Sequence, residues 1–237
     1  MKSSIKKLTS DLLEKTISSK IIQAILASKK SSSKKIMAVG SLLLLLTFVL
    51  PLWNIQLEAP QYRTPLGMNI YINKIVDEAP HDIQNINILN HYVGMAKIPE
   101  HMPEFDIFPY VIIAMSILGF ALALLGKHQL FLTWFIVMVT LGTAGLYDFY
   151  LWEHEYGHNL DKNAILKFTD KDGSPMGFQP PVFGSKHILN FVAHSYPGLG
   201  ALSVFLSMGF SFIAFLLGKA ALKEKITPKD KVLSDTI

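Results

Sequence analysis

The sequence predicts an all-α membrane protein, in which four transmembrane helices carry a periplasmic cap formed by two large loops. Half of the 237 residues are hydrophobic, and the mean hydropathy is positive at +0.34. Both values are high for an ordinary soluble domain and are typical of a polytopic membrane protein. The apolar residues fall into four separate runs, and two long polar stretches divide these runs.

The four apolar runs define the predicted spans, which cover residues 36–53, 107–126, 130–150 and 199–218. Each is close to the roughly 20 residues that a helix needs to cross a bilayer. Only residues 127–129 separate the second span from the third, so we expect these two to form a tight antiparallel hairpin. The small residues from Gly142 to Gly145 predict close approach of a neighbouring helix. Residues 36–218 are therefore expected to form one four-span domain.

Both ends of the chain are basic. Residues 1–35 hold nine lysines against two acidic residues, and their apolar positions recur at close to helical spacing. This pattern predicts a cytoplasmic, basic amphipathic segment that lies on the membrane surface. A flexible, charged hinge is expected at residues 28–35, and residues 219–237 form a second cytoplasmic basic tail.

The distribution of charge predicts the orientation. The two tails and the short turn hold fifteen lysines against five acidic residues, whereas the rest of the chain holds seven basic residues against thirteen acidic ones. Because basic segments remain in the cytoplasm, we expect both termini there. The large loops, residues 54–106 and 151–190, are then periplasmic. The predicted location is a bacterial inner membrane, with the lipid bilayer as the first partner.

The first loop contains recognisable local elements. Residues 69–73 alternate in polarity and predict a short strand. Residues 83–92 have the composition of a helix, with Asp82 as a candidate cap at its start. Gly94 is placed to end that helix. The loop is thus expected to be structured.

A literal HExxH pattern lies at residues 154–158. In zinc metalloproteases of this type, two histidines one turn apart bind zinc and the glutamate activates water. His154, Glu155 and His158 therefore support an alternative function as a membrane-embedded zinc metalloprotease. Gly157 lies inside the pattern and weakens a helix by about 1 kcal/mol. No third ligand stands out downstream, and the stretch falls outside the predicted span, so we favour a chance match.

Histidine and methionine are concentrated on the predicted outer side. Seven of the eight histidines lie there, and imidazole with thioether is a ligand set that suits copper. If residues 90–95 are helical, His91 and Met95 lie one turn apart on one face. The candidate metal ligands are accordingly the following residues: His91, Met95, His101, Met102 and His158.

Several site classes are excluded or not indicated. There is no cysteine, which rules out disulfides, thiolate metal sites and cysteine nucleophiles. No glycine-rich phosphate loop and no basic surface for nucleic acid is present, and no catalytic residue is assigned. Asp148 lies at the outer end of the third span and is followed by Glu153. A carboxylate near the membrane is often functional, but we interpret these groups as solvated at the membrane interface.

Several strings in residues 36–218 carry a family resemblance. They are LEAPQY at 57–62, GM at 67–68, IN at 86–87, LNHYVGM at 89–95, YGHNLD at 156–161 and QPP at 179–181. Together with the four spans, they resemble NosB-type four-span membrane proteins, which are encoded in atypical (clade II) nitrous oxide reductase gene clusters. In that family the recurring part of the second loop is Tyr156 to Asn159, whereas His154 is not a regular feature.

The resemblance implies a non-enzymatic accessory role in periplasmic nitrous oxide reduction. Copper supply, enzyme maturation and electron-transfer assembly are all consistent with it. The expected partners are nitrous oxide reductase or its maturation and electron-transfer proteins. A third alternative is a purely structural membrane subunit that docks such partners without any metal.

Overall fold

A computed structural model of the chain describes residues 2–169, 173 and 175–234. For residues 2–15, 18, 19, 22 and 224–234 it describes the backbone alone. The helices are α1 (Lys2–Leu43), α2 (Asp82–Val93), α3 (Pro103–Leu125), α4 (His128–His158) and α5 (Leu199–Ser234). The strands are β1 (Trp53–Glu58), β2 (Leu66–Ile70), β3 (Ile75–Asp77), β4 (Gly184–Ile188) and β5 (Phe191–Pro197).

The structure confirms four helices that are long and apolar enough to cross a membrane. They cover Gln23–Phe48, Pro103–Leu125, His128–His158 and Leu199–Lys223. The first ends earlier than predicted, because a 3-10 turn at Leu44–Phe48 closes it. Pro51, which cannot donate a backbone hydrogen bond, follows that turn. Trp53 already begins β1 instead of ending the span.

The first of two compact units lies within residues 1–41, 117–136 and 208–237. The hinge predicted at residues 28–35 is wrong, because α1 is continuous through it. The hydroxyl of Ser33 is buried and donates to the carbonyl oxygen of Ala214 at 2.7 Å. Lys34 donates from Nζ to the carbonyl oxygen of Leu124, also at 2.7 Å. These contacts hold the stretch in a helix where its composition alone predicts a flexible linker.

The second unit comprises residues 42–116 and 137–207 and contains a five-stranded antiparallel sheet. The strand order is β3-β2-β1-β5-β4. The prediction of an all-α protein is therefore wrong, because the mostly helical chain also contains this sheet. The first loop supplies three strands, the second loop supplies β4, and β5 lies between that loop and the last span. The central pairing joins them, with Trp53 opposite Pro197 and Ile55 opposite Ser195. The two predicted loops therefore form one structured body.

Helix α2 lies against β2 in this sheet-bearing unit. The expected cap at Asp82 is wrong in detail, because its carboxylate accepts from the amides of Gly67 and Ala79, each at 2.9 Å. Asp77 instead accepts from the amide of Ile83 at 2.6 Å and so satisfies the start of the helix. Gly94 ends α2 as predicted, with a left-handed φ of 82°.

The small-residue patch on α4 does not have the expected neighbour. A Cβ atom added at Gly142 or Gly145 would meet nothing within 4 Å among the described residues. Close helix packing occurs at Gly119 in the first unit instead. A Cβ there would come within 2.7 Å of the Ser41 side chain and 3.0 Å of the Trp134 ring. The close contact at this point is thus made by a glycine of α3 and not by the patch from Gly142 to Gly145.

Candidate functional site

The sheet-bearing unit contains a partly open cavity of about 640 Å³, which we call the apolar cavity. It lies between two groups of buried apolar side chains, one around Ile55 and Met68 and the other around Phe178 and Ala193. Strands β1 and β5, helix α2 and the end of α4 all contribute to its wall. Such a volume falls within the range of about 300–1,000 Å³ that is typical of small-molecule sites.

Glu153 is the unusual residue of this wall. It is fully buried, with 0 % of its surface exposed, and it lines the apolar cavity. Neither of its carboxyl oxygens has a hydrogen-bond partner among the described residues. Burying a polar group without such a partner costs free energy. A buried carboxyl group without a partner in the wall of a cavity is therefore a candidate for contact with a ligand.

The position of Glu153 follows from the length of α4, which continues to His158, beyond the predicted end of the third span. Trp152, Glu153 and Tyr156 all line the cavity from this last part of the helix. Trp152 and Tyr156 are one turn apart, and their rings stack with centroids 5.2 Å apart. The stacked rings form an aromatic wall beside the carboxyl group.

A polar network fixes the same end of α4 to the end of α2. The side-chain amide of Asn90 donates to the phenol oxygen of Tyr156 at 2.9 Å. The phenol donates in turn to the carbonyl oxygen of Ala96. Asn90 and Tyr156 of the cavity wall thus have hydrogen-bond partners, whereas the carboxyl group of Glu153 has none among the described residues.

Backbone hydrogen bonds close the rest of the wall. The amide of Phe178 donates to the carbonyl oxygen of Gly157, and the amide of Leu166 donates to that of Tyr92, both at 2.9 Å. A Cβ atom at Gly157 would lie only 2.5 Å from the Cα atom of Gln179. Glycine at this position thus lets the second loop pass close to α4.

The residues of the HExxH pattern lie elsewhere. His154, Glu155 and His158 are exposed, and none of them lines the apolar cavity. The imidazole rings of His154 and His158 stack with centroids 4.3 Å apart, and Nδ1 of His158 lies 2.8 Å from the carbonyl oxygen of His154. The described residues contain no group of three or more His, Asp or Glu side chains that could hold a metal ion. The pattern therefore lacks a third ligand of these types.

The copper candidates are not arranged as the helical spacing predicts. Helix α2 ends at Val93, and the amide of Met95 returns to the carbonyl oxygen of Asn90 at 2.9 Å. Met95 is therefore not one helical turn beyond His91. Its side chain packs against the apolar group around Phe178, whereas His91 is exposed.

The remaining candidates also have other contacts. Nε2 of His101 lies 3.0 Å from a carboxylate oxygen of Asp106, and both side chains are exposed. Met102 is half-buried just before α3. A Cβ atom added at Gly177 would come within 2.5 Å of Nε2 of His158. Copper binding by these residues stays a prediction.

Sequence reasoning named Glu153 but interpreted it as a solvated interface residue. Its place in the cavity wall is not visible in the local sequence, because the other lining residues come from β1, β5 and α2, which lie far from it along the chain. The signal that could have found it was its position one turn before Tyr156, which begins a string that carries the family resemblance. No protein-family model matches this chain, and no curated protein matches it.

Proposed function

We propose that the protein is a non-enzymatic membrane accessory protein of periplasmic nitrous oxide reduction. In this proposal both termini are cytoplasmic, and the sheet-bearing unit faces the periplasm of a bacterial inner membrane. The unit would act there beside nitrous oxide reductase or its maturation and electron-transfer proteins, in copper supply, maturation or assembly.

One observation supports the proposal. The six strings that resemble the NosB-type family are scattered over more than 120 residues of the sequence, from residue 57 to residue 181. Each of them contributes at least one residue to the wall of the apolar cavity: Leu57, Gln61, Met68, Ile86, Leu89, Asn90, Tyr92, Val93, Met95, Tyr156 and Pro180. Parts of all six strings thus meet in the wall of one cavity, which supports a shared role for them.

Deletion of the gene tests the proposal directly. We expect a strain without it to lose most of its nitrous oxide consumption, and a plasmid copy to restore that consumption. The amount of reductase protein is measured in parallel, because a maturation factor lowers activity per reductase molecule. Unchanged nitrous oxide consumption in the deletion strain, at low and high copper, would contradict the proposal.

The plasmid copy also tests the metalloprotease alternative. A copy carrying Glu155→Gln should restore nitrous oxide consumption fully, since Glu155 is exposed and outside the cavity wall. A zinc protease would lose several powers of ten in rate without the carboxylate that activates water. Failure of this variant, at normal protein abundance in the membrane, would favour the protease.

A further inference from the structure

We propose that the apolar cavity binds an amphiphile that carries a hydroxyl group at its polar end, with this group against the carboxyl group of Glu153. The apolar tail of the ligand would lie between the two groups of buried apolar side chains. This inference goes beyond the proposed role in nitrous oxide reduction, and binding can be measured on the purified protein alone.

The lining of the cavity favours a ligand that is mostly apolar. Most of the lining residues are aliphatic or aromatic, and they come from both groups of buried side chains. A volume of about 640 Å³ is large enough for such a ligand, because small-molecule sites span about 300–1,000 Å³. The chain or ring system of an amphiphile would make van der Waals contacts with these apolar side chains.

Glu153 favours a ligand that places a polar group beside its carboxyl group. Buried polar side chains nearly always have a hydrogen-bond partner, so an exception calls for a physical cause. Both carboxyl oxygens lack one among the described residues, although the side chain is completely buried. A hydrogen bond from a ligand group at this position would offset the desolvation cost of the buried carboxyl group.

A hydroxyl group matches this carboxyl group in either protonation state. An ionised carboxylate only accepts hydrogen bonds, whereas a protonated one both donates and accepts. A hydroxyl group does both and is therefore complementary in each case. Two other polar side chains of the wall are already engaged: Asn90 donates to Tyr156, and Gln56 donates to Glu78 at 2.9 Å.

Photolabelling tests the inference with the full-length protein in lipid nanodiscs. The probe is hexadecanol with a diazirine in its chain, and its matched control is the methyl ether of the same molecule. We expect saturable labelling of peptides from α2, β5 and the end of α4, with competition by unlabelled hexadecanol. The ether should label these peptides about tenfold less, since it cannot donate to the carboxyl group. Equal labelling by the ether, or labelling that does not saturate, would overturn the proposal.

Two variants assign the effect to Glu153. Glu153→Leu should reduce labelling about tenfold while leaving the unfolding temperature equal or higher, because it removes a buried group that has no partner. Glu155→Gln, on the exposed side of the same helix, should label like the wild type. Wild-type labelling in folded Glu153→Leu would overturn the role of the carboxyl group. The comparison of alcohol with ether uses the wild type, so it decides the matter even if Glu153→Leu does not fold.

Discussion

The side-chain amide of Asn90 donates a 2.9 Å hydrogen bond to the phenol oxygen of Tyr156, 66 residues further along the chain. This bond joins the end of α2 to the end of α4, and so joins the two loops at the wall of the apolar cavity. The hydroxyl of Tyr156 in turn donates a hydrogen bond to the carbonyl oxygen of Ala96. One hydroxyl group therefore connects three separate parts of the unit.

Tyr156→Phe should lower the free energy of unfolding by about 1–3 kcal/mol, because it leaves partly buried groups of Asn90 and Ala96 without this partner. Tyr147→Phe on the same helix is the control, since the Tyr147 side chain is 62 % exposed. Thermal unfolding in detergent, followed by tryptophan fluorescence, measures both variants. Equal unfolding temperatures for the two would show that the network contributes nothing to stability.

Gly157→Ala should destabilise the protein although alanine is the better helix former. The added Cβ would lie 2.5 Å from the Cα atom of Gln179, and such overpacking costs about 1–3 kcal/mol. Gly145→Ala is the matched control, because a Cβ there meets nothing within 4 Å among the described residues. The control should gain up to about 1 kcal/mol. The same unfolding measurement checks both variants, and a stabilised Gly157→Ala would contradict the predicted contact.

The lysine distribution predicts the orientation in the membrane. A reporter fused after Leu233 should behave as cytoplasmic, and one inserted after Gly173 should behave as periplasmic. Alkaline phosphatase, which is active only outside the cytoplasm, and a fluorescent protein that folds only inside make a suitable pair. The reverse pattern would place the sheet-bearing unit in the cytoplasm and would remove the basis for a periplasmic function.

The copper hypothesis is best tested at His91. His91→Ala should lower nitrous oxide consumption when copper is scarce, and added copper should restore it by mass action. His91 is exposed, so its loss should leave protein abundance unchanged. Met95→Ala is less informative alone, because Met95 packs against buried apolar residues and its truncation costs about 2–5 kcal/mol. Normal activity of His91→Ala across the copper titration would exclude His91 from copper handling.

The membrane helices could be predicted from sequence because their signal is local. A run of about 20 apolar residues with few charges is by itself the signature of a helix that can cross a bilayer. The helix at residues 83–92 was also predictable, since Gly94 marks its end within a few residues. Even so, its cap was not, because Asp82 bonds Gly67, which lies fifteen residues away in the neighbouring strand.

The sheet could not be predicted, because its central pairing is not local. Strand β1 follows the first span directly and pairs with β5, so no hairpin turn joins the two strands. Strand β5 lies immediately before the last span, and its residues read as an early start of that helix. Residues of both strands line the apolar cavity, so the cavity could not be predicted without this pairing.

The pairing of β1 with β5 has a consequence for biosynthesis. Trp53 donates from its indole nitrogen to the hydroxyl of Ser195 at 2.7 Å, 142 residues later. A ribosome must therefore complete most of the polypeptide before the sheet can close, and β1 meanwhile presents an unpaired edge. Chains that terminate before β5 would keep that edge, which makes them recognisable to chaperones and quality-control proteases. Closure of the sheet therefore requires that synthesis has passed the end of β5 at Pro197.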